Sequence, residues 1–127
     1  MISGLNRRPW SDYFKCITTI EIGSGVTSVG DFMFQECTGL ASVTIPGSVT
    51  SIGDMAFSAC MNLSSFTIQG ASQLTFIGDG AFDNCMRLSS FPIPAGVTSI
   101  GEAAFASCVN LTEVEIPAGV TYIGEDL

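Results

Sequence analysis

From residue 17 onward, apolar and polar positions recur in one long period. The stretch 43–66, VTIPGSVTSIGDMAFSACMNLSSF, holds the unit once, and it returns four times in whole or in part. Its cysteine falls at Cys37, Cys60, Cys85 and Cys108, in steps of 23, 25 and 23. Gly30, Gly53, Gly78, Gly101 and Gly124 keep the same steps and add a last one of 23. Phe34, Phe57, Phe82 and Phe105 move in parallel with them. Self-similarity at a fixed period of roughly 20 to 50 residues is the mark of stacked repeats, in which no unit hides its apolar side alone. The expected architecture is therefore a solenoid.

Within the unit, the segments 17–22, 40–45, 63–68, 88–93 and 111–116 read ITTIEI, LASVTI, LSSFTI, LSSFPI and LTEVEI. Apolar residues alternate with polar ones at their ends, the period of a strand with one buried face. Ile20, Val43, Phe66, Phe91 and Val114, with Ile22, Ile45, Ile68, Ile93 and Ile116, are expected to point inward. Thr19, Ser42, Ser65, Ser90 and Glu113, and beside them Glu21, Thr44, Thr67, Pro92 and Glu115, are expected to point outward in two columns on one parallel sheet. Pro92 has no N–H and fits only where its ladder bond is absent or replaced. Turns follow each strand, and the one at 69–73 is two residues longer, which accounts for the step of 25. A second, shorter strand with a bend is expected at each V-T-x-I/V-G. The acid after each glycine, at Asp31, Asp54, Asp79, Glu102 and Glu125, suits a helix N-cap, so about one helical turn is expected to carry the Phe and the Cys. A calcium ladder on these acids is the sharper alternative, but one carboxylate per coil leaves such an ion short of its six to eight oxygens.

Residues 1–16 fit the repeat poorly and are expected to form an N-terminal segment or cap, with Trp10, Tyr13 and Phe14 over the first coil. Residues 17–127 then hold about four and a half repeats, the last lacking its Phe and Cys and leaving an uncapped apolar edge. That edge points to self-association through the C-terminal coil.

Charge and chemistry narrow the function classes. The net charge is −8, and from residue 16 onward Arg87 is the one base against eleven acids. Such a surface repels phosphate, which disfavours nucleic acid and anionic membranes. No apolar run suits membrane insertion, and the first residues lack the apolar segment of a signal peptide. Histidine is absent, so a Cys or Ser nucleophile lacks its usual base, and no catalytic residue, cofactor motif or metal-ligand spacing is found. Equivalent positions in a stack lie ~4.8 Å apart with parallel Cβ vectors. The four periodic cysteines are therefore expected as buried thiols, with a disulfide ladder or a metal site as the weaker readings.

The unit I-P-x-x-V-T-S-I-G-x-x-A-F-x-x-C-x-N-L-x-x-V resembles the BspA-like leucine-rich repeat family over residues 17–127. The resemblance implies a right-handed leucine-rich-repeat-like stack, with a parallel sheet on one face and short second strands and one-turn helices on the others. It also implies a cell-surface or secreted protein, non-catalytic, in which repeats bind host matrix proteins, glycans or other microbes. No family ligand residue transfers position by position. The candidate partner-binding face is thus the expected sheet face itself: Thr19, Glu21, Ser42, Thr44, Ser65, Thr67, Ser90, Glu113 and Glu115. A rigid spacer or self-assembly segment of a larger protein is the alternative.

Overall fold

The structure, a computed structural model, describes residues 17–111 and 114–124. The capping role expected of Trp10, Tyr13 and Phe14 lies outside the described residues, as do Cys16, Glu113 and Glu125.

Successive coils lie one on another as a parallel β-solenoid, in the register that the repeat predicts. One sheet has the order β1 (Thr19–Glu21), β3 (Ser42–Pro46), β5 (Ser65–Gln69). Thr19 pairs with Ser42 and Ser42 with Ser65, while Glu21 pairs with Thr44 and Thr44 with Thr67. The second sheet runs through five coils, as β2 (Ser28–Val29), β4 (Ser51–Ile52), β6 (Phe76–Ile77), β7 (Ser99–Ile100) and β8 (Tyr122–Ile123). These are the short second strands expected from V-T-x-I/V-G.

The core is the repeat seen from inside. Val43, Ile45, Val49, Ile52, Phe57, Leu63, Leu74, Ile77, Phe82, Leu88, Val97 and Ile100 are all fully or almost fully buried. Phe34, Phe57, Phe82 and Phe105 stack in one column, each ring centroid 5.4 Å from the next and the planes within 20°. Phe66 and Phe91 interleave with them at 4.9–5.4 Å. Removing such a side chain from water stabilises the fold by about 1.5–3 kcal/mol, and offset or edgewise ring pairs add to that. One expected core position differs. Ile116 is 39% exposed, because no further described coil packs on it.

The third side of each coil is not helical. Residues 31–36, 54–59, 79–84 and 102–107 form runs of tight turns in which every fourth residue adopts a left-handed backbone. Phe32 and Glu36, Met55 and Ala59, Gly80 and Asn84, and Ala103 and Ser107 have φ between 56° and 63°. The reason is the neighbouring coil. A helix would aim all its N–H groups along its own axis. Here they alternate. Met55, Phe57 and Ala59 N–H donate to Asp79, Ala81 and Asp83 O at 2.7–2.8 Å, whereas Ala56, Ser58 and Cys60 N–H close local turns on Gly53, Met55 and Phe57 O. Every coil is thereby bonded to the next on this side as well. Left-handed non-glycine residues cost of order 1 kcal/mol each and persist where surrounding structure over-determines them.

Asp31, Asp54, Asp79 and Glu102 are therefore not helix caps. Asp31 Oδ1 accepts the Asp54 N–H at 2.8 Å, Asp54 Oδ1 accepts the Asp79 N–H at 2.9 Å, and Asp79 Oδ1 accepts the Glu102 N–H at 2.8 Å. Each carboxylate satisfies a donor one coil above. This link needs the coils very close. A Cβ on Gly53 would lie 2.7 Å from the Asp31 amide nitrogen, one on Gly78 2.6 Å from that of Asp54, and one on Gly101 2.5 Å from that of Asp79. The glycine column is set by backbone contact with the coil below.

Gly78→Ala is expected to destabilise the fold by about 3 kcal/mol, the upper range for overpacking against atoms that cannot yield. Gly23→Ala, where an added Cβ meets nothing within 4 Å, should shift stability by less than about 0.5 kcal/mol. Denaturant unfolding midpoints compare the two, and equal midpoints would contradict the close-approach account.

Candidate functional site

The face built by β1, β3 and β5 puts the predicted residues in straight columns. Alternation along each strand turns Ile20, Val43 and Phe66 inward and the flanking residues outward. Thr19, Ser42 and Ser65 form one outward column and Glu21, Thr44 and Thr67 the other. Ser42 Oγ donates to Thr19 Oγ1 across 3.5 Å. Among the described residues, the hydroxyls of Thr44, Ser65 and Thr67 have no protein partner.

A second threonine column contrasts with this one. Thr50 Oγ1 donates to Thr27 O at 3.0 Å, Thr75 to Thr50 at 3.2 Å, Thr98 to Thr75 at 3.3 Å and Thr121 to Thr98 at 3.2 Å. These hydroxyls are tied up in stacking, before the short strands of the second sheet. Two rows of Ser and Thr that look alike in the sequence are thus chemically different. One is internal mortar, and the other keeps free donors and acceptors.

The columns do not continue as one sheet through all coils. Segment 88–94 is not a strand, and the sheet stops at β5. Ser90 and Glu115 lie exposed beyond that edge, and the position predicted for Glu113 is outside the described residues. Among the described residues no backbone hydrogen bond joins 63–70 to 88–94, whereas Ser64 N–H still bonds Ala41 O on the other side. Pro92 has no N–H to donate to Phe66 O, which removes one bond of that ladder. Beside it lies a groove of ≈ 530 Å³ between coils three and four, lined by residues 64–68, Gly70, Ser72, Ser90, Phe91, Pro92 and Pro94. Pro92 and the step of 25 were its two signals in the sequence; that they open a groove required the coordinates.

The thiols of the repeat stand inside the stack. Cys37, Cys60, Cys85 and Cys108 form no disulfide among the described residues, and all four are buried. Cys60, Cys85 and Cys108 Sγ each donate to a Phe carbonyl one coil below, at 3.1–3.2 Å. Burial pushes the Cys108 thiol up to about 11; a backbone hydrogen bond at Cys85 offsets part of this and Asp83 adds to it. Burial, then the neighbouring Cys60 and Cys108, drive Cys85 higher still. Such thiols stay protonated, unlike a nucleophile or a metal ligand. Among the described residues no cluster of three metal-ligating side chains occurs.

A family model described as the BspA type leucine rich repeat region matches residues 12–127 in six copies. Solved structures share the fold. A leucine rich repeat protein of T. pallidum is 31% identical, with a TM-score of 0.78 over 85% of this chain and 52% of that one. A leucine-rich repeat protein from Eubacterium ventriosum is 29% identical, with a TM-score of 0.71 over 91% of this chain and 30% of that one. A leucine rich cell surface protein from Faecalibacterium prausnitzii is 28% identical, with a TM-score of 0.59 over 85% of this chain and 44% of that one. This chain thus spans about half or less of the length of each. No curated protein sequence matches it.

The thiol column predicts a pH dependence. A native pKa raised above the ordinary 9.0 means that the unfolded chain loses its thiol protons first. The stabilisation is complete below pH ~9 and is lost as pH rises toward about 11 at Cys108. Unfolding midpoints measured from pH 8 to 11 should fall, and Cys108→Ala should lessen the fall. An identical pH slope in the variant would count against burial of a protonated thiol.

Proposed function

Because the chain belongs to the BspA-type leucine-rich repeat family, we propose that it is a non-catalytic recognition module of a cell-surface protein, binding a host or microbial protein through the β1–β3–β5 face. Repeat solenoids of this kind serve as protein-interaction surfaces, because stacking displays many equivalent positions on one extended face. The observation that carries the reading is the division between the two hydroxyl columns. Thr44, Ser65 and Thr67 are free to bond a partner, while Thr50, Thr75, Thr98 and Thr121 bond the coil below. Glu21 and Glu115, both exposed, give this face an acidic margin that favours a partner with basic groups. The surface location is supported by the Faecalibacterium protein's description as a cell surface protein. No described helix is long and apolar enough to cross a membrane.

The face has no exposed aromatic or arginine anchor, so its affinity is built from many modest polar contacts. The test is to introduce Thr44→Arg and Thr67→Arg and measure adhesion to immobilised host matrix proteins and to other bacteria. Binding should fall at least tenfold with each variant. Binding that survives both would transfer the function to the spacer reading.

A second reading is self-assembly, favoured by β8 at the edge of the second sheet, where Tyr122 is 53% and Ile123 45% exposed. Light scattering across a hundredfold range of concentration should then show dimers or longer species. A strict monomer at every concentration would remove this reading.

A further inference from the structure

We infer that the outward side of the second sheet is a separate docking surface, which takes a proline-rich, basic peptide of a partner protein in the polyproline conformation, lying along the stack. It belongs to the other sheet from the face proposed above and does not rest on that reading. The starting point is one position of the repeat that neither the core nor the first sheet uses. The third residue of V-T-x-I/V-G is Ser28, Ser51, Phe76, Ser99 and Tyr122 in successive coils, and strand pairing puts these residues in one column. Alternation turns the residue after each of them, Val29, Ile52, Ile77 and Ile100, into the core and leaves the column outside. A serine is enough for the fold at this position, as Ser28, Ser51 and Ser99 show. Coils three and five carry rings instead, with Phe76 39% and Tyr122 53% exposed. Aromatic rings held open on a paired strand are the anchors that the first sheet lacks.

Spacing, polar groups and charge select the occupant. Phe76 pairs with Ser99 and Ser99 with Tyr122, so the two rings stand two coils, about 10 Å, apart with a half-buried serine between them. The polyproline conformation has three residues per turn at about 3.1 Å each, so prolines three apart line one edge at about 9 Å and reach both rings. Same-side residues of an extended strand recur at about 7 or 13 Å and match the rings less well. The hydroxyls of Ser99 and Tyr122 have no protein partner among the described residues. A polyproline backbone has no internal hydrogen bonds, so its carbonyls are free to accept both, whereas those of a helix are already paired. A glycan needs more donors and acceptors than this face offers, because the Thr75, Thr98 and Thr121 hydroxyls beside the column already bond the coil below. Asp79 and Glu102, both exposed, follow Phe76 and Ser99 by three residues and set a negative margin along one side. Lysine or arginine on the remaining edge of the peptide complements that margin.

The test titrates the full chain, by calorimetry, with a blocked nonapeptide of three Pro-Pro-Arg repeats. The controls are the Pro-Pro-Glu repeat, the Gly-Gly-Arg repeat, which keeps the charge and loses the stiff conformation, and a β-1,4-linked N-acetylglucosamine hexamer. The Pro-Pro-Arg peptide should bind, and each control should bind at least tenfold more weakly. Phe76→Ser and Tyr122→Ser bring in the residue of the other coils. Each should leave the unfolding midpoint nearly unchanged and weaken binding at least tenfold. Tyr122→Ser combined with Ser99→Tyr keeps two rings but halves their spacing, and it should not restore binding. Asp79→Asn keeps the acceptor oxygen for the Glu102 N–H and should weaken binding about threefold. Thr44→Arg, on the first sheet, should leave peptide binding unchanged, so each surface is tested by its own variant. No binding at millimolar peptide, binding indifferent to either ring, full binding by the double variant, tighter binding of the sugar, or a tenfold loss in Thr44→Arg would each overturn the inference.

Discussion

The close approach of coils at the glycine column is the constraint from which the other features follow. Gly53, Gly78, Gly101 and Gly124 each lie where a Cβ would enter the backbone of the coil below. Nothing larger than hydrogen fits if the strands on either side are to keep their pairing distance. With the coils this close, each Asp carboxylate accepts the backbone N–H of the next acid, Asp54, Asp79 or Glu102, at 2.8–2.9 Å. The Phe rings stack at 5.4 Å, and the thiols reach the Phe carbonyls. These ladders are separate chemically but share one spacing.

That spacing also explains why the third side gives up helix. A one-turn helix would aim its N–H groups along its own axis and none at the neighbouring coil. Runs of turns with left-handed residues at every fourth position split their N–H groups between local closure and the neighbour. The conformational cost, of order 1 kcal/mol at each non-glycine position, is offset by bonds that join the coils on this side.

The stack is regular on two sides and incomplete on the third. A perfectly closed sheet presents side chains alone, because its backbone groups are paired. Coil four breaks that rule on one side only. Sheet two continues through β6, β7 and β8, and the turn side still bonds Gly80, Phe82 and Asn84 to the next coil. The stack therefore holds together although, among the described residues, no backbone hydrogen bond joins β5 to residues 88–94.

The period, the core positions and the identity of the repeat were legible in the chain alone, because burial is written in side-chain type. Val43, Phe57, Cys60 and Leu63 recur with a common step and are all buried. The outward columns Thr19–Ser42–Ser65 and Glu21–Thr44–Thr67 followed from strand alternation. Pro92 was readable as an exception to the ladder. Other features were not readable. Asp54 is as good a helix cap as it is an acceptor for the coil above, and Thr50 is as polar as Thr44. Which role each plays depends on where a backbone group 23 or 25 residues away comes to lie, and only the stacked coils decide that.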